Sequence, residues 1–144
     1  METIYAAEWI VAVITAALAA REAPEGEEVE PVGVYEDPAP EDATEIAVTF
    51  SYQTGNDVAP VGVPEIMATL DYTIQVSCPG RSDQPLLAIY DLVHEALLDR
   101  SNAGPTSSGG YVHGAIRLSP LKYTEDAGGV EYRHLGGNYR LFVS

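Results

Sequence analysis

Apolar residues follow two rhythms along this chain. From Glu2 to Ala20 the period is helical, with Ile4, Ile10, Val11, Ile14 and Leu18 on one stripe and Tyr5, Trp9 and Val13 on another nearly opposite. Only a narrow sector at Glu8 and Thr15 is polar, and the Ala23-Pro24 break ends the helix. A second helix is predicted over Asp83–Leu98, where Leu86, Ile89, Tyr90, Val93 and Leu97 make one stripe and Asp91, Glu95 and Asp99 point outward. Ser82 or Asp83 can cap it, and Pro85 falls in the first turn, where a missing N–H costs nothing.

Elsewhere the period is two. Ile46–Tyr52 turns Ile46, Val48 and Phe50 to one side, and Met67–Ser77 turns Leu70, Tyr72, Ile74 and Val76. Tyr111–Leu118 places Val112 and Ile116 together, and Val32-Gly-Val-Tyr35 has the form of a short edge strand. In the last fifteen residues, Val130 and Tyr132 and then Tyr139, Leu141 and Val143 flank Leu135-Gly136-Gly137-Asn138. That pattern predicts a closing hairpin turning at the glycine pair. The links are an acidic, Pro-rich connection at 22–44, a Gly/Pro-punctuated loop, arm or extended hairpin loop at 53–66, and Gly-rich stretches at 101–110 and 119–129. Hairpin connections predominate, so the expected fold class is α+β: a mostly antiparallel sheet with two helices packed on one face and long acidic and Gly/Pro-rich loops. One domain is expected to span 1–144.

Composition narrows the function. With 144 residues and 46% hydrophobic content, the chain is long enough for a core without staples. The formal charge is −15, and Glu22–Glu45 holds ten acidic residues and no basic one. Such a chain is expected to repel nucleic acid rather than bind it. The acidic run reads either as a solvated loop or as a rim past which DNA slides, with Glu25, Glu27 and Glu28 as rim residues. The N-terminal apolar stretch carries Glu2 and Glu8 and no preceding base, and only twelve residues separate Glu8 from Arg21. Neither a signal peptide nor a membrane anchor is expected.

A helix on the surface of a monomer needs one apolar stripe. Burying Trp9 and Tyr5 would contribute about 2 kcal/mol each. The Tyr5–Trp9–Val13 stripe is therefore expected to pack on another subunit; the alternative is a loop such as 23–42 folded over it.

Chemistry finds little support. His94, His113 and His134 lie on three elements with no i, i+4 pair and no Cys partner, and Cys78 has no basic neighbour that would favour a thiolate. No phosphate-binding glycine loop or calcium-loop spacing occurs. The expectation is no enzyme, no catalytic residues, no cofactor and no metal.

Tyr132-Arg133-His134-Leu135-Gly136-Gly137 with Tyr139-Arg140-Leu141 resembles the C-terminal end of tail terminator (tail completion) proteins of long-tailed bacteriophages. The N-terminal helix, the acidic segment leading into Ile46–Tyr52, the strand around Thr73–Ser77 and the helix near Asp83–Leu98 follow in that family's order. The resemblance implies a structural virion protein at the tail–neck junction, assembled in the host cytoplasm as a hexameric ring. Its partners would be other copies of itself, the tail tube protein and the head–tail connector or stopper, with no membrane and no specific nucleic-acid binding. Thr54, Asn56, Asp57 and Val61 are the expected contacts to tube or connector. A head-closure (stopper) protein is the close alternative, and an acidic DNA mimic or regulatory binding protein the alternative of another class.

Overall fold

The structure is a computed structural model that describes residues 2–21, 30–58, 67–80 and 83–144. Helix α1 (Glu2–Ala19) is followed by β1 (Val32–Glu36), β2 (Ile46–Val58) and β3 (Met67–Pro79), then helix α2 (Asp83–Leu98), a 3-10 turn at Arg100–Asn102, and β4 (Gly104–Pro105), β5 (Tyr111–Ala127) and β6 (Val130–Val143). The six strands form one sheet in the order β1-β2-β3-β6-β5-β4. β1 runs parallel to β2, and every other pairing is antiparallel. The expected α+β architecture with a mostly antiparallel sheet stands, with one parallel edge strand added.

Alternation decides which face of the sheet is covered. Ile46, Val48 and Phe50 of β2, Leu70, Tyr72, Ile74 and Val76 of β3, and Tyr139, Leu141 and Val143 of β6 are all buried. They meet Trp9, Ile10 and Ile14 of α1 and Ile89, Tyr90, Val93 and Leu97 of α2 in one contiguous core. Both helices therefore lie on one face. The opposite face carries Thr49, Ser51, Thr73, Gln75 and Ser77 and is open.

The closing hairpin is not where the sequence put it. β6 runs unbroken from Val130 to Val143, and Gly136 and Gly137 lie mid-strand between β3 and β5. The turn is Gly128-Gly129, where φ is 60° and 83°, the left-handed pair that a two-residue hairpin loop requires. Gly136 has a different task. A Cβ there would press into the Ile74 carbonyl oxygen and lie 2.6 Å from the Gln75 Cα, so β3 and β6 approach closely only because it is absent. The apparent turn was a change of phase. Tyr132 sits on the open face of β6, whereas Tyr139, Leu141 and Val143 sit on the helix face.

Two links are also strand. β2 continues past Tyr52, through a bulge at Gln53, and pairs as far as Val58↔Met67. Thr54, Asn56 and Asp57 thus lie on a hairpin rather than in a free arm, and Val61 falls outside the described residues. Likewise 119–127 extends β5 instead of linking it to β6. A register shift between Val112 and Gly114 separates the two residues assigned to one face: Val112 is buried, while Ile116 is 47% exposed on the other side.

Candidate functional site

The α1 stripe assigned to a neighbouring subunit is covered by the chain itself. Trp9 is 4% exposed, and its indole N–H donates to the Asn102 carbonyl at 2.9 Å. Tyr5 lies against Gly110, where a Cβ would collide with its ring, and Val13 packs partly buried beside the core. Glu8 fastens the same segment by accepting from the Ser108 N–H and the Ser107 hydroxyl, both at 3.1 Å, and from the Ser108 hydroxyl. Those bonds, the Ser108 hydroxyl first, hold the Glu8 carboxyl below its usual pKa. Among the described residues the segment that covers Trp9 and Tyr5 is 100–110, which is why Tyr5, Trp9 and Val13 do not form a free patch. On α1 the exposed large apolar residues are Ile4 and Val11, both from the other stripe.

The C-terminal motif is structural glue on both faces of β6. On the helix side the Tyr139 hydroxyl lies 2.6 Å from the Tyr90 hydroxyl and 2.9 Å from His94 Nδ1, and Arg117 reaches Tyr90 at 3.4 Å. Donors and acceptors match if Arg117 donates to Tyr90, Tyr90 to Tyr139, and Tyr139 to a neutral His94. Burial, with the Arg117 charge nearby, holds the His94 imidazole below its ordinary value of 6.5. The unfolded chain then takes up a proton that the folded one refuses as pH falls through that value. Stability is expected to decline below about pH 6.5, and His94→Gln to flatten that part of the pH profile of the melting temperature. An unchanged profile would mean that His94 titrates alike in both states.

On the open face, Arg140 pairs with Asp71 through two bonds of 2.8 and 3.0 Å. His134 is buried, with Nδ1 2.6 Å from the Ser77 hydroxyl and Nε2 3.4 Å from Glu125 Oε1. Tyr123 stacks on its ring at 4.3 Å and donates to Gln75. Gln75, Ser77, Tyr123, Glu125 and His134 line a groove of about 700 Å³, bounded on one side by the 37–45 segment. A serine, a histidine and a carboxylate in line suggest acyl transfer. However, β3 is paired at Ser77 with both Ala47 and His134, so its backbone N–H groups serve the two ladders rather than an oxyanion. The arrangement orients a histidine within a polar groove. Sequence spacing could not bring Ser77, Glu125 and His134 together, because their meeting depends on the β3–β6–β5 register.

The surface with the clearest capacity for binding is the β5 side of the sheet. Tyr111, Ile116, Leu118 and Tyr123, with Val130 just beyond the turn, are all at least 38% exposed. β4 pairs with β5 only at Tyr111 and Val112. Beyond Val112, no strand among the described residues covers its outer side. Thr54 and Asn56 lie exposed on β2, and the backbone of Asp57 pairs with Ala68. Glu25, Glu27 and Glu28 lie outside the described residues. Among the described residues no three or more His, Cys, Asp or Glu side chains are grouped to hold a metal, and no helix is long and apolar enough to cross a membrane.

No family model matches this chain, and no curated protein does. Among solved structures it is similar to a chain of the virion of a native gene transfer agent particle, at 15% identity and a TM-score of 0.44, over 92% of this chain and 84% of that one.

Proposed function

We propose that this chain is a structural virion protein of a long-tailed bacteriophage, a tail terminator that caps the tail tube as a ring. In that role it ends tube polymerisation and offers a surface to the head connector. The observation that carries the reading is that β5 combines exposed apolar side chains, Ile116, Leu118 and Tyr123 among them, with an outer side that no described strand pairs beyond Val112, a surface suited to assembly. The resemblance of the C-terminal motif supplies the kind of assembly, and by that resemblance the ring has six copies. The motif residues His134, Gly136, Tyr139 and Arg140 each carry a contact that holds the sheet or its helices in place.

In this reading the β2–β3 hairpin, with Thr54, Asn56 and Asp57 and the adjoining Val61, reaches toward the tube or the connector. Glu25, Glu27 and Glu28 form an acidic rim that DNA passes without sticking. Tyr5, Trp9 and Val13 support the subunit contact from beneath by fixing the 100–110 segment. Electron microscopy of particles assembled without this chain tests the proposal. Headless tails of uncontrolled length are expected; tails of normal length beside unsealed capsids would favour a stopper.

A further inference from the structure

We infer that copies of this chain join head to tail through opposite edges of the sheet, the outer side of β5 in one copy receiving the outer side of β1 from the next. The inference rests on the ring proposed above and names the surfaces that close it.

β5 and β1 have complementary needs. Past Val112 the outer side of β5 has no strand partner among the described residues, and a row of unpaired N–H and C=O groups is a template for another strand. Among the described residues β1 is the outermost strand of the opposite edge and pairs with β2 alone. Pro120 and the bulge between Arg117 and Ser119 confine any added ladder on β5 to short runs, the length that β1 offers.

Charge selects β1 over a second β5. A chain with a net charge of −15 repels its copies unless the contact sets unlike charges together. From Glu22 to Gly80, a span containing β1, β2 and β3, there is no Lys or Arg. Glu36, Asp37, Glu41 and Asp42 are exposed on that side. Every Lys and Arg except Arg21 lies in 81–144, where six bases nearly balance seven acids; Arg117 and Lys122 sit on β5 itself, whose acids are confined to Glu125 and Asp126 near the turn. Pairing β5 with β5 would bring no acidic edge to Arg117 and Lys122, whereas β5 against β1 sets those two cations beside the exposed acids of 36–42.

Strand direction agrees. Through the pairings β1–β2–β3–β6–β5, β5 runs antiparallel to β1. Copies related by rotation about an axis along the strands therefore meet in an antiparallel junction. Such a contact uses two different surfaces, leaves each copy with one free edge, and ends only when the circle closes.

Lys122 is the only lysine in the chain, so carbodiimide coupling reads the junction directly. Unlabelled and 15N-labelled protein are mixed, assembled at high concentration and on tail tubes, coupled, digested and analysed by mass spectrometry. Mixed-isotope peptides joining Lys122 to Glu36, Asp37, Glu41 or Asp42 are expected. Lys122→Arg, which keeps the charge but lacks the amine, should abolish those peptides while rings persist in electron micrographs. Rings whose Lys122 couples between copies only to Glu125, Asp126 or Glu131, or not at all, would overturn the edge-to-edge junction and leave the ring intact. Single copies in both preparations would overturn the ring together with its junction.

Discussion

Gly136→Ala is expected to lower the melting temperature by about 10 °C, a loss of about 3 kcal/mol for a chain of this size. The added methyl would lie 2.6 Å from the Gln75 Cα and press on the Ile74 carbonyl oxygen. Both obstacles are backbone in a strand that is itself paired on its far side with β2, so neither can swing away as a side-chain tip would. Relief requires β3 and β6 to separate in the middle of the sheet, where the ladder carries the floor of the core. Gly104→Ala is the matched control, since a Cβ there meets nothing within 4 Å. Thermal unfolding followed by circular dichroism should leave the control near wild type. A Gly136→Ala variant melting within about 2 °C of wild type would mean that the sheet relaxes easily and that the glycine serves another purpose.

The second large effect is expected at Trp9. Trp9→Ala should cost about 3–5 kcal/mol, since it empties a large buried site and strips the Asn102 carbonyl of its donor. Trp9→Asp should cost more, because an uncompensated carboxylate would replace the indole in the same place. Against a total stability of about 5–15 kcal/mol, either loss is a large fraction of what holds the chain folded. Denaturant titration separates the two readings of this residue. The structure predicts a sharply lowered midpoint and, for Trp9→Asp, little soluble protein. A Trp9→Asp variant of wild-type stability that has lost only its ability to associate would return Trp9 to the role of an exposed contact.

These two positions show how far the sequence could be read. Both helices were legible because each carries residues at helical spacing long enough to dominate its segment, and Asp83–Leu98 matches the predicted span. The strands Ile46–Tyr52 and Met67–Ser77 were legible because one face of each is wholly buried, which forces clean alternation. What failed was inference across a change of phase. Tyr132 and Tyr139 lie on opposite faces of one strand, and a glycine pair between two alternating runs looks the same whether the chain turns there or merely passes close to a neighbour. Only the Ile74–Gln75 backbone, distant in sequence, distinguishes the two. The bulges at Gln53 and between Val112 and Gly114 hid the full length of β2 and β5 for the same reason: one extra residue reverses every side chain beyond it.

The assembly surface was less legible still. The two stripes of α1 amount to a surplus of apolar residues, but their spacing carries no sign that Gly110 and Asn102 meet Tyr5 and Trp9. Parity of spacing puts Ile116 on the same face as Val112, and nothing in the pattern marks Leu118. Once the bulge is placed, both stand exposed on the edge of the sheet. On the first helix only Ile4 and Val11 remain exposed among its large apolar residues, whereas β5 leaves Tyr111, Ile116, Leu118 and Tyr123 uncovered. Ser77, Glu125 and His134 show the same limit: the residues were visible, but their convergence is a property of strand register.

Tail termination is tested by the distribution of tail lengths in particles assembled without this chain, scored by electron microscopy and rescued by adding the purified protein. A broad distribution is expected, with tubes running past the normal length and no heads attached. Added protein should cap tubes with a ring and restore a single length. Tails of one normal length in its absence, or added protein that leaves long tubes growing, would contradict tail termination.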